Sequence, residues 1–382
     1  MKIAVDASQV KVAEADGMST YSYYLLRALS KLNQPHKFIL FFREEASQKV
    51  KKEFFRGSET FEFRVLEESL FWRQTSLAKA CLKYKPDLLF VPGATLPVFR
   101  DPQLKTVITA HDLCFDYLPE RYQLPQKILL GKSVKYASYM ATRVIAVSQA
   151  TKDALVEQFK VDPEKISVVY EGVDQEKFHP PAGGPNFKLQ NQRGEEIKKK
   201  YGIEGDYILF VGTVQPRKNL RRAIEAFSLI AKDLNFSDLQ FIIAGRPGWL
   251  FDEIYSAPKE FGVEEKVNFL GSVPDQDLSV LYQGAELLLF PSLCEGFGLP
   301  ILEAMASGIP VITSNISSMP EVGGKSAYYV DPYDVKDIVY GLQLILEDDN
   351  LHQTLASSGR ERAEVFSWRR TAKKTLKVLE FC

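Results

Sequence analysis

Two glutamates bracket a glycine-rich loop in residues 291–308, which read P-S-L-C-E-G-F-G-L-P-I-L-E-A-M-A-S-G. Glu295 begins the loop, and Glu303 follows eight positions later. Apolar runs before and after this segment predict a strand, the loop, a short helix and a second strand. Pro300 suits the first position of that helix, and Gly308 suits the position just past its end. The loop is therefore expected at a helix N-terminus, where free N–H groups and the positive dipole end favour anions.

The two carboxylates need a different ligand chemistry from the backbone around them. Carboxylates accept hydrogen bonds from hydroxyls, such as those of a sugar or a ribose, while backbone N–H groups bind phosphates. For either glutamate alone, a first-turn acid or a solvated loop residue is the simpler interpretation. The pair, with E-G-F-G-L-P between its members, favours a ligand site.

A second candidate site lies in residues 211–219, which read V-G-T-V-Q-P-R-K-N and join a predicted strand to a predicted helix. Arg217 and Lys218 are adjacent cations there, suited to clamping a diphosphate and to stabilising the charge that grows on a leaving group. The alternative is a solvated basic helix start, which would be unfavourable against the helix dipole. We therefore assign both residues to phosphate binding and catalysis.

The segment E-G-F-G-L-P-I-L-E-A-M-A-S-G-I-P-V-I-T-S resembles the E-x7-E signature of the retaining GT-B glycosyltransferases of family GT4. The resemblance implies that the first glutamate lies by the donor sugar, that the glycine-rich backbone contacts sugar and diphosphate, and that the second glutamate holds ribose hydroxyls. The donor-binding residues implied in this loop are Glu295, Gly296, Phe297, Gly298, Leu299 and Glu303. Glu295 is also placed among the catalytic residues. Gly212 joins the donor-binding set; because Thr213 follows it where many relatives place an arginine nearby, Arg217 and Lys218 must supply the charge.

Three further positions carry parts of the resemblance. His111, in T-A-H-D-L, resembles a family histidine that sits by the donor sugar, and is assigned as catalytic; on its type alone a structural histidine is favoured. Gly17, in D-G-M-S-T-Y, matches one of two glycines that relatives carry before the first helix, so its backbone could approach the donor or belong to a plain loop. Glu171 begins E-G-V-D, where asparagine is usual, and no role is assigned to it.

The composition is that of a globular protein, with 45% hydrophobic and 25% charged residues among 382. That length allows two domains with full cores. A formal net charge of −1 argues against a nucleic-acid binder. The four cysteines form no C-x-x-C pair, so neither a disulfide framework nor a zinc site is expected. Since G-x-G-x-x-G after a strand and G-x-x-x-x-G-K-[ST] are also missing, dinucleotide redox chemistry and P-loop hydrolysis lack their usual phosphate loops.

Short apolar runs alternate with amphipathic helical stretches along the chain, which predicts parallel sheets covered by helices. The expected fold class is α/β of the GT-B type, with two Rossmann-like domains facing a central cleft. We assign residues 1–180 to the first domain, 181–206 to a linker and 207–366 to the second domain. The terminal helix, 367–382, crosses back in the family, although an ordinary packing helix is the alternative. The predicted strands are 2–5, 37–42, 61–66, 88–91, 105–109, 144–147, 166–170, 207–211, 239–244, 267–270, 286–290, 310–313 and 327–330.

The resemblance implies transfer of a hexose from a nucleotide diphosphate sugar to an acceptor hydroxyl with retention, and GDP-mannose is favoured on that resemblance alone. The alternatives are a UDP-glucose or UDP-GlcNAc type of donor, a sugar-nucleotide epimerase, and a nucleotide-sugar binding protein without turnover. No cofactor and no metal requirement are expected, because two cations and a helix terminus can do the work of a metal. The acceptor is expected to be a glycan or a lipid-linked molecule.

The sequence also bears on where the protein acts. Residues 1–7 read M-K-I-A-V-D-A and resemble no signal peptide, and no run approaches the roughly 18 apolar residues of a spanning helix. A cytoplasmic protein is expected, at most at the inner face of the plasma membrane. Two basic and apolar stretches, 72–85 and 124–139, could rest on an anionic membrane. Solvated helix faces are the alternative.

Overall fold

The computed structural model describes residues 1–10, 17–55, 60–69, 71–117, 124–181 and 192–382. These residues form two compact units. The first contains the described residues of Met1–Asp116, Gln123–Gly172 and Trp368–Cys382, and the second contains Tyr117 and the described residues of Val173–Ser367.

The first unit is built on a seven-stranded sheet in the order β3-β2-β1-β4-β5-β6-β7, in which every neighbouring pair is parallel. Ile3, Ala4 and Val5 of the central strand are fully buried. Strands covered on both faces have no solvent side, which is why they appear in the sequence as continuous apolar runs. The strands are β1 (Lys2–Asp6), β2 (Lys37–Phe42), β3 (Phe61–Val65), β4 (Leu88–Val91), β5 (Lys105–Ala110), β6 (Arg143–Ala146) and β7 (Ile166–Val168).

Helices lie between most of these strands, with β4 and β5 as the exception, and the last helix of the chain packs in the same unit. The helix α15 (Trp368–Glu380) contacts α1 (Gly17–Ser30), where the Trp368 and Tyr24 rings stack with centroids 5.5 Å apart. Thr371 Oγ1 of α15 also donates a hydrogen bond to the Tyr170 carbonyl at 2.8 Å. The other helices before residue 160 are α2 (Gln48–Phe55), α3 (Ala78–Tyr84), α4 (Cys114–Tyr117), α5 (Leu124–Met140) and α6 (Gln149–Phe159).

The second unit is built on a six-stranded sheet in the order β10-β9-β8-β11-β12-β13, again with parallel neighbours. This is the strand order of a doubly wound dinucleotide-binding fold. The strands are β8 (Tyr207–Val211), β9 (Gln240–Ala244), β10 (Val267–Gly271), β11 (Leu287–Phe290), β12 (Val311–Ser314) and β13 (Tyr328–Val330). The helices are α7 (Gln192–Tyr201), α8 (Leu220–Ile230), α9 (Asp252–Phe261), α10 (Asp275–Gly284), α11 (Leu299–Ser307), α12 (Met319–Gly323), α13 (Val335–Glu347) and α14 (Asp349–Glu364).

The helix α7 lies within the predicted linker 181–206. Ile197 of this helix is buried, and both Lys200 and Tyr201 contact the Asp277 carboxylate, at 2.6 Å and 2.9 Å. This ten-residue helix was not predicted because Ile197 is its one aliphatic residue among many charged ones. The division between the two units also falls at Gly172 and Val173, earlier than the predicted end of the first domain at residue 180.

The predicted α/β class with two Rossmann-like domains is confirmed, and each predicted strand overlaps an observed one. Strand ends differ by no more than two residues, since the apolar runs define the buried part of each strand well and its ends poorly. Among the described residues, no helix has both the length and the apolar character needed to cross a membrane.

Candidate functional site

The sheet of the second unit contains a point at which its strand order reverses. The first strand, β8, lies between β9 and β11, so the connections that leave β8 and β11 run to opposite faces of the sheet. In open α/β sheets, ligands bind in the crevice outside the carboxyl ends of the strands at such a point. The turn Pro216–Lys218 follows β8, and Glu295 lies in the loop that follows β11. The two sequence motifs thus meet where this fold places ligands.

Glu295 forms ion pairs with both cations of the other motif. Its Oε1 lies 2.6 Å from Lys218 Nζ, and its Oε2 lies 2.9 Å from Arg217 Nη1. All three side chains are largely buried, with Glu295 and Lys218 each 8% exposed. Ion pairs removed from water in this way are costly to disrupt, because each partner would leave a buried charge uncompensated. The cluster carries two positive charges and one negative charge.

Further contacts fix the orientation of the two cations. Arg217 Nη1 donates a second hydrogen bond to the Cys294 carbonyl at 2.8 Å. The buried Gln215 turns its amide oxygen toward the same guanidinium and accepts from Nε at 2.9 Å and from Nη2 at 3.1 Å. Lys218 Nζ lies 4.9 Å from the centroid of the Phe290 ring, within the range of a cation–π interaction. These contacts therefore hold both cationic side chains in fixed orientations.

The pKa of Glu295 shows which influence dominates in the cluster. Burial raises the pKa of this carboxyl, but the charges of Arg217 and Lys218, together with the hydrogen bond from Lys218, outweigh burial and lower it to about 2. An opposite charge within a few ångströms favours the ionised form of an acid. Glu295 is consequently a carboxylate at neutral pH and a weak base.

The backbone that carries the cations is locked to the loop after β11 by Asn219. This residue is buried and adopts a left-handed conformation with φ of 61°, which asparagine tolerates better than most residues. Its Nδ2 donates hydrogen bonds to the carbonyls of Pro291 at 3.1 Å and Pro332 at 2.7 Å. A backbone hydrogen bond from Leu293 to the Arg217 carbonyl, at 2.8 Å, adds a further link. The role of Asn219 was not predicted, although an asparagine directly follows R-K in the motif.

Two serines after β12 hold the glycine-rich loop from its other side. Ser317 Oγ accepts from the Glu295 amide at 3.1 Å and donates to the Glu295 carbonyl at 2.8 Å. Ser318 Oγ donates to the carbonyls of Glu295 at 3.1 Å and Phe297 at 2.8 Å. These serines were also missed, and the polar run S-N-I-S-S after a predicted strand was the available signal. The loop conformation is set by these bonds and by the burial of Phe297.

The helix α11 begins directly behind this loop, as the sequence predicts. Gly298 is its N-cap with φ of 112°, a value that side chains rarely adopt, and as a glycine it has no side chain of its own with which to cap the helix. Pro300 is the second helical residue, one position later than predicted, and Gly308 ends the helix with φ of 79°. Leu299 is the first helical residue. Uncapped N–H groups at a helix start attract anions, so the geometry suits a phosphate oxygen.

Glu303 has a different environment from Glu295. Tyr282 is fully buried and donates a hydrogen bond to Glu303 Oε2 at 2.8 Å. Burial raises the pKa of Glu303, and the Lys177 charge and the Tyr282 hydrogen bond only partly offset it. The second glutamate of the signature is thus a half-buried acceptor with a raised pKa, suited to accepting hydrogen bonds from neutral hydroxyls. Tyr282 was not identified from the sequence.

Two glycine-containing loops approach each other beside the cations. Gly212 follows β8, and a Cβ added there would lie 3.5 Å from Lys218 Cε. Gly245 follows β9, and its added Cβ would lie only 1.8 Å from the Gly212 carbonyl oxygen. Position 245 is therefore restricted to glycine by the close approach of the two backbones.

The two predicted site residues of the first unit lie at the carboxyl side of its sheet. His111 follows β5, and its side chain is 16% exposed. Gly17 is the first residue of α1, and a Cβ added there would meet no atom of the described residues within 4 Å. Among the described residues of the whole chain, no three His, Cys, Asp or Glu side chains converge as a metal-ligand set.

Two family models match consecutive parts of the chain. One, described as Glycosyltransferase Family 4, matches residues 15–177, and the other, described as Glycosyl transferases group 1, matches residues 194–362. O-antigen chain mannosyltransferase B of Escherichia coli is 30% identical over 300 residues, which cover 78% of this chain and 75% of that protein. Serotype-specific mannosyltransferase WbdA of the same organism is 29% identical over 270 residues, which cover 70% of this chain but 32% of that protein.

Solved structures share the fold over the full length. A sucrose-phosphate synthase from Thermosynechococcus elongatus aligns with a TM-score of 0.76 at 19% identity, covering 100% of this chain and 98% of that one. The structure of Alr3699/HepE from Anabaena in complex with UDP-glucose aligns with a TM-score of 0.74 at 16% identity, covering 100% of this chain and 99% of that one. At these identities the likeness shows the fold and nothing finer.

Proposed function

This chain belongs to the family 4 and group 1 glycosyltransferases of the GT-B fold, and we propose that it transfers mannose from GDP-mannose to an acceptor hydroxyl with retention. The enzyme class is that of a hexosyltransferase. The identity of the donor, the retention of configuration and the identity of the acceptor are proposed here. The observation that carries it is the contact of Glu295 with Lys218 and Arg217 beside the uncapped start of α11.

The cluster provides the charge that a diphosphate needs. Its two cations and one carboxylate leave one net positive charge, and the N-terminus of α11 adds the positive end of a helix dipole. In the proposed reaction, the bond between the anomeric carbon and the phosphate oxygen breaks, and the diphosphate leaves with the electron pair. Lys218 and Arg217 stabilise the negative charge that develops on that oxygen. Because both side chains are already oriented, little reorganisation is required at the moment of reaction.

Glu295 is proposed to orient the donor rather than to attack it. A carboxylate with a pKa of about 2 that is bound by two cations is a poor nucleophile and a poor base. The acceptor hydroxyl therefore attacks from the face that the diphosphate leaves, and its proton passes to the departing phosphate oxygen. The backbone of Gly296, Phe297 and Gly298 lies against sugar and diphosphate in this proposal. Glu303, held by Tyr282, accepts the hydrogen bonds of the ribose hydroxyls.

The choice of donor rests on the relatives. The mannosyltransferase B relative supports mannose. A UDP-linked sugar is the second candidate donor, since the family resemblance allows either nucleotide. Neither cofactor nor metal is proposed, because Lys218, Arg217 and the helix start supply the positive charge. Gly212 and Gly17 are proposed to place their backbone beside donor groups, as the family pattern implies.

The donor proposal is tested by calorimetric titration of GDP, UDP, GDP-mannose and UDP-glucose into the wild type and Lys218→Ala, first without metal and then with magnesium. We expect the guanine nucleotides to bind without metal, and Lys218→Ala to weaken them by at least about 30-fold, or about 2 kcal/mol. Arg221→Ala is the matched control, since Arg221 pairs with the exposed Glu260. Binding of UDP compounds alone would replace GDP-mannose with the second candidate, and no binding under either condition would reject the donor proposal.

The acceptor is proposed to be a growing glycan or a lipid-linked glycan, met at the inner face of the plasma membrane. Lys79, Lys83 and Lys85 are exposed, and Leu82 between them is 57% exposed, so this face can meet anionic lipid. Arg73 does not belong to the face, because it pairs with the buried Asp6. In the second stretch Lys132 and Lys135 are exposed, while the side chain of Lys127 lies outside the described residues.

Vesicle co-sedimentation tests the membrane part of the proposal. We expect binding to vesicles that contain anionic lipid, and loss of that binding when Lys79, Lys83 and Lys85 are all changed to glutamate. Changing the exposed Lys232 to glutamate, in the second unit, is the control. Equal sedimentation with neutral and anionic vesicles would contradict an electrostatic contact.

A further inference from the structure

A buried carboxylate faces the histidine of the first unit. Glu171, which is 5% exposed, lies three residues beyond β7, and its Oε1 is 3.4 Å from His111 Nδ1. The other ring nitrogen, Nε2, is 3.2 Å from the carbonyl oxygen of Pro92, which directly follows β4. Three strands of one sheet therefore deliver the imidazole and its two partners to the same place. Neither partner was assigned a role from the sequence.

Both partners are hydrogen-bond acceptors, which determines the protonation of the ring. A backbone carbonyl only accepts, and an ionised carboxylate only accepts. A neutral imidazole carries one N–H, so one of its nitrogens would turn a lone pair toward an oxygen. The imidazolium carries an N–H on each nitrogen and satisfies both contacts. A buried carboxylate also needs a positive charge beside it, and the imidazolium supplies one to Glu171.

The other groups packed against the ring do not oppose this charge. Asp112, the next residue in the chain, favours the cation. Tyr21 of α1 packs against the imidazole in an edge contact with centroids 4.7 Å apart, and its hydroxyl lies 3.2 Å from Thr109 Oγ1. Burial, followed by the Glu171 charge, raises the pKa of Tyr21, so the phenol stays neutral. For His111 itself, burial lowers the pKa, but Glu171, the Pro92 carbonyl and Asp112 outweigh it and raise the pKa overall.

The position of Glu171 is itself anchored by neighbouring contacts. The Tyr170 carbonyl, one residue before it, accepts the hydrogen bond from Thr371 of α15 at 2.8 Å. The Tyr170 ring lies under Lys374 Nζ of the same helix, at 5.8 Å from its centroid. Val169 bonds through its amide to the Ala146 carbonyl at 2.9 Å. Contacts with α15 and with β6 thus hold the two residues that precede Glu171.

We propose that Glu171 is a positioning residue that holds His111 as a fixed imidazolium, so that His111 acts by charge and position and not as a general base. The catalytic consequence rests on the proposed glycosyl transfer, whereas the protonation state does not. A ring whose two nitrogens both donate to protein oxygens has no lone pair with which to remove a proton from an acceptor. Glycosyl transfer should then not require a deprotonated histidine.

Histidine NMR tests the protonation state without any substrate. The chain has four histidines, so a sample labelled with ¹⁵N in the histidine rings gives few signals, and His111→Gln identifies those of His111. We expect both ring nitrogens of His111 to remain protonated above the usual histidine pKa of about 6.5. Loss of a ring proton from His111 at or below about pH 6.5, the usual histidine pKa, would overturn the proposal.

Glu171→Gln tests the role of the carboxylate, with Glu157→Gln on the exposed face of α6 as the matched acid-to-amide control. We expect the pKa of His111 to fall by at least about one unit in Glu171→Gln, which is a tenfold change in the proton-binding constant, and to stay unchanged in the control. An unchanged His111 titration in Glu171→Gln would overturn the positioning role. Thermal unfolding of each variant shows whether it is folded.

Activity then separates this inference from the proposed function. With a working donor, kcat of Glu171→Gln should fall by about tenfold relative to the wild type as pH rises from about 6 to about 8, because His111 loses its charge, and recover at the lower pH. A structural defect would lower kcat at every pH alike, and that result would overturn the catalytic consequence. If no donor supports transfer by the wild type, the proposed function fails, while the NMR result still decides the state of His111.

Discussion

Glu295 Oε1 lies 2.6 Å from Lys218 Nζ, although the two residues are 77 positions apart in the chain. The contact joins the loops that follow β8 and β11, the two strands at which the sheet order reverses. It makes the cluster both a structural link within the second unit and the candidate phosphate site. Changes to it should therefore affect stability and ligand binding together.

Glu295→Gln should destabilise the protein in a pH-dependent way. The pKa of Glu295 is lowered from 4.5 to about 2 in the folded protein, so the carboxylate contributes stability above the unfolded value, and that contribution is lost as pH falls toward 2. The difference corresponds to about 3 kcal/mol of free energy of unfolding at neutral pH. Urea unfolding at several pH values measures it. Glu260→Gln, at an exposed ion pair, is the control and should have a small effect. If the free energies of unfolding of the wild type and of Glu295→Gln differ by the same amount down to low pH, the lowered pKa of Glu295 is contradicted.

Glu303→Gln should stabilise the second unit at alkaline pH while weakening nucleotide binding. The folded-state pKa of this acid is raised, so the ionised form costs stability as pH rises through that pKa, and an amide avoids the cost. The same substitution removes a proposed acceptor for ribose hydroxyls. Thermal unfolding and calorimetry measure the two effects.

Tyr282→Phe provides the complementary test of the same pair. Its hydroxyl donates to Glu303 and lowers the pKa of that acid, so removal should raise the pKa further. The loss of nucleotide affinity on acidification should then begin at a higher pH than in the wild type. Glu303→Gln should show no such shift, and an unshifted profile in Tyr282→Phe would argue against coupling between the two side chains.

Asn219→Ala should cost about 2 to 4 kcal/mol of stability, because it leaves two buried carbonyls without their donor and places alanine in a left-handed conformation. Asn219→Gly loses the same two hydrogen bonds but tolerates the positive φ, so it should be the more stable variant by about 1 kcal/mol. Chemical unfolding of both variants gives the comparison. If alanine proves as stable as glycine, backbone strain does not contribute at this position.

Gly245→Ala should be among the most damaging small substitutions in the chain. Its Cβ would lie 1.8 Å from the Gly212 carbonyl oxygen, so the two loops must separate, at an expected cost of at least about 3 kcal/mol. Gly93→Ala is the control, because an added Cβ there meets nothing within 4 Å. Differential scanning calorimetry separates the two variants. A midpoint for Gly245→Ala close to that of the wild type would mean that the loops can part without cost.

Much of the site was accessible from the sequence because its chemistry is concentrated in two short motifs. Residue type and spacing singled out Arg217 and Lys218 in one motif, and Glu295 with the loop before α11 in the other, as candidates for a ligand site. The residues that were not predicted act through tertiary contacts with segments that are distant in the sequence. Asn219, Ser317 and Tyr282 are ordinary polar residues in the sequence, and their roles depend on carbonyls and carboxylates far away in the chain.

The sequence by itself determined the strands and the class of fold. Buried parallel strands must be continuous apolar runs, helix ends favour proline and glycine, and both signals are local. Only the tertiary structure decided which charges neutralise one another. Glu295 pairs with Lys218, and Glu171 pairs with His111, because the carboxyl ends of parallel strands bring distant segments together. Protonation states follow from these pairings and from burial, neither of which is a property of a residue and its neighbours in sequence.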